Sequence, residues 1–91
     1  MALTKETVID KIEVLEMGQV QVRTATRVME DGVQLSSSFH RHVVEPSTKA
    51  SGSWADTDIS GEDARVQAVA NATWTDSVKT AYQEMIDAQA L

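Results

Sequence analysis

A chain of 91 residues with 42% hydrophobic and 24% charged residues has the composition of one small soluble domain rather than of a disordered segment. Eight Lys and Arg residues against fourteen Asp and Glu give a net charge of −6, and no basic run is present, which argues against nucleic-acid binding. Cysteine is absent, which excludes disulfides, thiolate zinc sites and thiol catalysis. Because a domain this short buries only about 60% of its unfolded surface, we expect oligomerisation or docking onto a partner to add to its stability.

The N-terminal residues predict neither export nor membrane anchoring. The opening MALTKETVID contains no apolar segment of the kind found in signal peptides. No window of the chain approaches the roughly 18 apolar residues that a membrane span requires. We therefore expect the chain to be made in a cytoplasm, with no membrane partner.

The apolar side chains of residues 8–45 recur at every second position, which predicts three β-strands. In the second strand, Val20 and Val22 alternate with polar residues, so one β-branched face can be buried. Gly18 and Gly32 lie between the predicted strands, where hairpin turns require the positive φ that glycine tolerates. Three sequential strands joined by short turns predict an antiparallel meander.

The third predicted strand carries different side chains on its two faces. One face holds Phe39 and Arg41, and we expect it to be the buried one, while the other holds His40 and His42. A buried cation is costly unless it is paired. Arg41 is therefore expected either to form an ion pair within the domain or to mark a boundary between subunits.

Residues 46–59 are mostly small and polar and have no clear period, which predicts a loop. Residues 60–90 have helical spacing and predict two short amphipathic helices, the first capped by Ser60 and the second by Thr75. Helices of about a dozen residues are not stable alone in water, so we expect both to pack on the apolar face of the meander. The predicted fold is α+β, a single domain over residues 1–91 with a three-stranded antiparallel β-meander followed by two short C-terminal helices.

His40 and His42 are candidate metal ligands, because residues i and i+2 of a strand place their side chains about 7 Å apart on one face. Two ligands are too few for a structural metal site within one subunit. A symmetric trimer would bring six imidazoles around its axis, so we expect metal binding only in an oligomer. The alternative is a pair of surface histidines that stack or hydrogen-bond to their neighbours.

The sequence contains no complete catalytic constellation. Ser38 and His40 share a strand face, but no nucleophile elbow surrounds Ser38 and no third orienting group is evident. We therefore expect a chain that is not an enzyme and that has no cofactor.

Five side chains are candidate interface residues: Phe39, Arg41, Trp54, Trp74 and Tyr82. Large rings and arginine gain most when they are buried against a partner. The alternative for each tryptophan is that it closes the core of its own domain.

The segments VQVRTATRVMEDGVQLSSSFHRHVVEP and ISGEDARVQAVANATWTDSVKTAYQ resemble short proteins encoded among the virion and tail genes of tailed bacteriophages. That group shares an R-x-x-T-x-(V/I)-x-E-D-G hairpin, an (F/Y)-H-R-(H/x) strand and a V-x-A-(V/I)-x-(N)-A-x-W-T segment. The resemblance extends from about residue 7 to residue 83. The matching positions are Arg23, Thr26, Val28, Glu30, Asp31, Gly32, Phe39, His40, Arg41, Val66, Ala68, Val69, Asn71, Ala72, Trp74 and Thr75.

This resemblance implies a non-enzymatic structural protein of the virion, in the tail, baseplate or fibre region. Its implied partners are further copies of itself and larger phage tail or fibre proteins, and the symmetry of fibres and tails favours a homotrimer. A second interpretation is an accessory phage binding module that is absent from finished particles, such as a fibre-assembly chaperone or an inhibitor of a host protein.

Overall fold

The computed structural model describes residues 2–89. The elements follow in the order β1 (Leu3–Val14), β2 (Val20–Glu30), β3 (Val33–Val44), β4 (Ser47–Ala50), β5 (Ser53–Asp56), α1 (Ala64–Thr73) and α2 (Asp76–Gln89). Strands β1, β2 and β3 form one antiparallel sheet in that order, and β4 pairs with β5 in a second sheet. The predicted α+β fold, a three-stranded meander followed by two C-terminal helices, is confirmed, and the small second sheet is added to it.

Both predicted glycine turns are present. Gly18 has φ +89°, and the amide of Leu15 donates a hydrogen bond of 2.8 Å to the carbonyl of Gln19 across the turn. At the second turn Asp31 and Gly32 have φ values of 50° and 83°. Two consecutive positive φ angles give a turn whose twist matches that of the flanking strands.

The pairing of β2 with β3 shows which face of β3 points toward the helices. Val20 is opposite Val44 and Val22 is opposite His42, and directly paired residues point to the same side of a sheet. The expectation that the face of Phe39 is buried is therefore wrong. Apolar residues occur on both faces of β3, so the alternation along that strand alone did not distinguish them.

The hydrophobic core lies at one end of the long sheet. Val20, Val22 and Val66 are fully buried, and Val44 completes the cluster. Partly buried side chains surround this cluster: Ile9, Ile12, Ile59, Val69 and Trp74. Val66 belongs to α1, so the predicted packing of that helix on the meander is confirmed.

The expected loop at residues 46–59 is instead the β4–β5 hairpin, whose turn uses Ser51 and Gly52 with positive φ. Strands of four residues with mostly small or polar side chains are too short to show an alternation of polar and apolar positions. The sequence of this segment therefore predicted a loop. Helix α2 packs on this hairpin: the Tyr82 ring meets the Trp54 ring edge-on, with centroids 6.1 Å apart. The prediction that α2 packs on the face of the meander therefore left out the β4–β5 hairpin.

The caps of the two helices differ in how well they were predicted. Asp63, not Ser60, caps α1, because its Oδ2 accepts a hydrogen bond of 2.9 Å from the amide of Arg65. Ser60 lies in the preceding turn, where its amide donates to Asp58. Thr75 caps α2 as predicted, with its hydroxyl accepting from the amide of Val78 at 3.3 Å.

The molecule is elongated, with extents of 57 × 26 × 23 Å. Its radius of gyration is 17.1 Å, whereas a compact domain of this length has about 12 Å. The excess arises because β1, β2 and β3 continue well past the helices. We call the uncovered part, residues 3–8, 24–30 and 33–40, the distal sheet.

Within residues 2–89, no helix is both long enough and apolar enough to cross a membrane.

Candidate protein-docking interface

The distal sheet exposes large apolar side chains on both of its faces. Leu3 is 65% exposed and Val33 is 63% exposed, and both are cross-strand partners of Glu30 on the side that carries α1. On the opposite side, Phe39 is 51% exposed. Apolar side chains clustered on a surface mark interaction sites more often than isolated ones do.

Phe39 lies at the centre of a row that crosses all three strands. Ala25 of β2 is the partner of Phe39 on β3 and of Val8 on β1, and Ala25 itself is fully buried. Arg23 and Arg27 lie two residues before and after Ala25, so they share this face. We call the set Val8, Arg23, Arg27, Phe39 and Arg41 the Phe39 patch.

Arg23 links the patch to a bulge in β1. The register of β1 and β2 shifts between Ile9 and Lys11, which leaves Asp10 as the extra residue. Asp10 accepts two hydrogen bonds from Arg23, of 2.9 Å from Nε and 2.8 Å from Nη2. These hydrogen bonds lower the pKa of Asp10 below its usual value. The guanidinium of Arg23 also covers the Phe39 ring, with Cζ 4.5 Å from the ring centroid.

The other two arginines of the patch are less tightly paired than Arg23. Glu6 is the cross-strand partner of Arg27 on the same face, and the charge of Arg27 also helps to lower the pKa of Asp10. Neither Arg27 nor Arg41 forms an ion pair within residues 2–89. Of the two alternatives for Arg41, an ion pair inside the domain is therefore not found, and a subunit boundary stays a prediction. On this face of the sheet four cations (Lys11, Arg23, Arg27 and Arg41) outnumber three anions (Glu6, Asp10 and Glu13), so a chain of net charge −6 presents a weakly basic, aromatic surface here.

His40 and His42 lie on the opposite side of β3 from Phe39. Their rings stack, with centroids 6.4 Å apart and an interplanar angle of 28°. The Nε2 atom of His42 lies 2.8 Å from Oε1 of Glu62. Among residues 2–89, no three His, Cys, Asp or Glu side chains cluster so as to hold a metal ion. A metal shared between copies of the chain stays a prediction.

The remaining candidate residues take part in packing within the domain. Trp74 is half-buried, and its Nε1 donates a hydrogen bond of 2.7 Å to the carbonyl of Gly18. Tyr82 is buried, and burial together with a hydrogen bond to Glu45 raises the pKa of its phenol to about 12. Trp54 is half-buried, with Nε1 3.3 Å from Oδ2 of Asp87. Phe39 and Arg41 are the most accessible of the five candidates.

Sequence reasoning missed the roles of Asp10, Arg23 and Arg27. One signal for Asp10 was present, since a carboxylate in phase with Ile12 interrupts the apolar face of β1. A bulge moves that carboxylate to the other face.

No protein-family model, curated protein or solved structure matches this chain.

Proposed function

We propose that this chain is a non-enzymatic assembly protein of a bacteriophage virion, attached in the tail, baseplate or fibre region through its distal sheet. The observation that carries the proposal is the exposed apolar surface around Phe39, on strands that continue past the helices. The virion setting is supported by the resemblance of the hairpin, strand and helix motifs to short tail-associated phage proteins.

The surface area of the chain supports a docking role. The accessible surface is 6076 Å². A folded monomer of 9.9 kDa has about 5200 Å² by the usual scaling with mass. The excess of about 900 Å² is close to the roughly 800 Å² that one partner contributes to a protein–protein interface of standard size.

The packing of the distal sheet points the same way. Leu3 and Val33 are exposed on one side of it and Phe39 on the other, so neither side has a core of its own. Three strands need a buried apolar face to be stable independently. A partner that covers the distal sheet provides that burial.

Mass spectrometry of purified virions tests the proposal. We expect the chain to be present in a fixed ratio to the tail proteins of the phage that encodes it. Particles made with Phe39→Ser should contain less of the chain. Particles made with Val14→Ser, where a 49% exposed valine lies at the other end of the sheet, should contain the normal amount. Absence of the wild-type chain from particles would overturn the proposal in favour of an accessory module that acts before the particle is complete.

A further inference from the structure

The outer face of α2 is opposite in charge to the Phe39 patch. Asp76, Thr80 and Glu84 follow one another at intervals of four residues, so they share one side of the helix, and all three are exposed. Neither Asp76 nor Glu84 forms an ion pair within residues 2–89. We call these three residues the acidic face of α2.

A pocket lies beside this face, between α2 and the turn that joins β1 to β2. Its volume is about 170 Å³, and it is lined by Glu16, Met17, Ser77, Val78 and Ala81. An apolar cavity of roughly 150 Å³ is large enough to hold a benzene ring. This pocket, which we call the α2 pocket, therefore has room for a phenylalanine ring.

We propose that the Phe39 patch of one copy docks on α2 of a second copy of the same chain. Phe39 enters the α2 pocket, and Arg27 and Arg41 face the carboxylates of Asp76 and Glu84. This inference rests on the proposed function and names one partner of the distal sheet. Arg27, Arg41, Asp76 and Glu84 form no ion pair within residues 2–89 and supply the charge complementarity, and the ring and the pocket supply the fit.

Charge also determines the symmetry of the contact. Two Phe39 patches placed against each other would bring together two surfaces that each carry more cations than anions, and two acidic faces would oppose carboxylate to carboxylate. The contact between unlike surfaces joins a face with an excess of cations to one with an excess of anions and is the most favourable of the three, so the association is head-to-tail. Because every copy carries both surfaces, such a contact closes into a ring or continues as a filament.

Sedimentation velocity of the full chain over a range of protein and salt concentrations measures the association. We expect assemblies that grow with protein concentration and that weaken as salt is added. Phe39→Ser should be monomeric. Val14→Ser is the matched control, since Val14 is 49% exposed and lies outside both the distal sheet and the α2 pocket, and it should associate like the wild type.

A second variant blocks the other surface. Ala81 is exposed at the α2 pocket, so Ala81→Trp should fill the pocket while the domain stays folded, and this variant should also be monomeric. Circular dichroism of both variants checks that the fold is retained. Mixed in equal amounts, Phe39→Ser and Ala81→Trp retain one working contact between them. We therefore expect a 1:1 heterodimer that grows no further.

Three results would overturn the inference. The first is a wild-type chain that is monomeric at every concentration and is nevertheless found in virions, which would leave the proposed function in place. The second is a mixture of the two variants that forms no heterodimer although the wild type associates, which would indicate a contact through other surfaces. The third is a monomeric wild type that binds poly-glutamate or an oligonucleotide through the Phe39 patch, which would assign the patch to a different acidic partner. Self-association of a chain that is absent from virions would overturn the proposed function alone.

Discussion

Arg23 lies over the ring of Phe39, with its guanidinium carbon 4.5 Å from the ring centroid, and this contact joins the central strand to an edge strand of the sheet. The same guanidinium donates two hydrogen bonds to Asp10, which the bulge of the other edge strand, β1, presents. One arginine therefore connects all three strands across the exposed face. The guanidinium covers one face of the Phe39 ring in the free chain and leaves the rest of the ring exposed. This contact restricts the orientations of the ring and so reduces the entropy lost on docking.

The pH dependence of stability tests the link between Asp10 and Arg23. A carboxylate whose pKa is lowered in the folded state stabilises the fold above its unfolded pKa, and the contribution is lost as pH falls. We expect the free energy of unfolding, measured in urea, to fall more steeply below pH 3.8 for the wild type than for Asp10→Asn. Equal acid sensitivity of the two proteins would show that this pair does not contribute.

Gly18 is the turn glycine on which other side chains pack most closely. A Cβ atom at this position would lie 2.5 Å from Cγ1 of Val78 and 3.2 Å from Cγ of Pro46, with φ +89°. Left-handed backbone and overpacking together predict that Gly18→Ala lowers the free energy of unfolding by about 2–4 kcal/mol.

Gly32 supplies the control for this substitution. It also has positive φ, +83°, but a Cβ atom there would meet nothing within 4 Å. Gly32→Ala should cost only about 1–2 kcal/mol, the backbone part alone. Equal losses at the two positions, measured by urea denaturation, would contradict the close packing of Val78 on the turn.

Tyr82 makes the fold sensitive to alkali. Its pKa is raised from 10.0 to about 12 in the folded state, so the unfolded chain ionises first as pH rises. The stabilising effect is complete below pH 10 and is lost between pH 10 and about 12. Because Tyr82 is the only tyrosine of the chain, tyrosinate absorbance reports it directly.

We expect this absorbance to appear together with the loss of circular dichroism. Between pH 7 and pH 12, Tyr82→Phe should lose less of its free energy of unfolding than the wild type loses. Ionisation of Tyr82 near pH 10 in a chain that remains folded would contradict its burial.

Charge reversal tests the pairing of the Phe39 patch with the acidic face of α2. Arg41→Glu and Glu84→Arg should each weaken self-association by about tenfold, because each places like charges together. In a mixture of the two variants, both contacts between unlike chains pair opposite charges, one as in the wild type and one with the signs exchanged. The mixture should therefore associate more strongly than either variant alone. Sedimentation of the mixture checks this, and equal weakness of the mixture and of the single variants would refute the pairing.

Much of the fold could be predicted because local signals agreed with it. The β2 alternation of Val20 and Val22 and the positive-φ glycines at positions 18 and 32 predicted the meander, and the spacing of Val66 and Ala70 predicted the buried side of α1. These features depend on residues close together in the chain.

The candidate site could not be predicted in the same way, because its contacts depend on how neighbouring strands pair. A bulge changes the face of one side chain, and the partner strand then determines which neighbours that side chain meets. The Asp10 bulge placed a carboxylate beside Arg23, and the pairing of Val22 with His42 turned Phe39 outward. The alternation of polar and apolar residues within one strand predicts neither the bulge nor the pairing. The β4–β5 hairpin was missed for a related reason, since it is held by Trp54 packing on Tyr82 from a distant helix.

Hydroxyl-radical footprinting of the intact virion tests most directly whether the distal sheet is the docking surface. Phe39 is 51% exposed in the monomer and should be oxidised readily in the isolated chain at protein concentrations too low for self-association. In virions we expect its oxidation to fall several-fold, while the half-buried Trp54 on the β4–β5 hairpin keeps its rate and serves as the internal reference. Oxidation of Phe39 at the same rate in virions and in the isolated chain would contradict the proposal that the distal sheet docks on a partner.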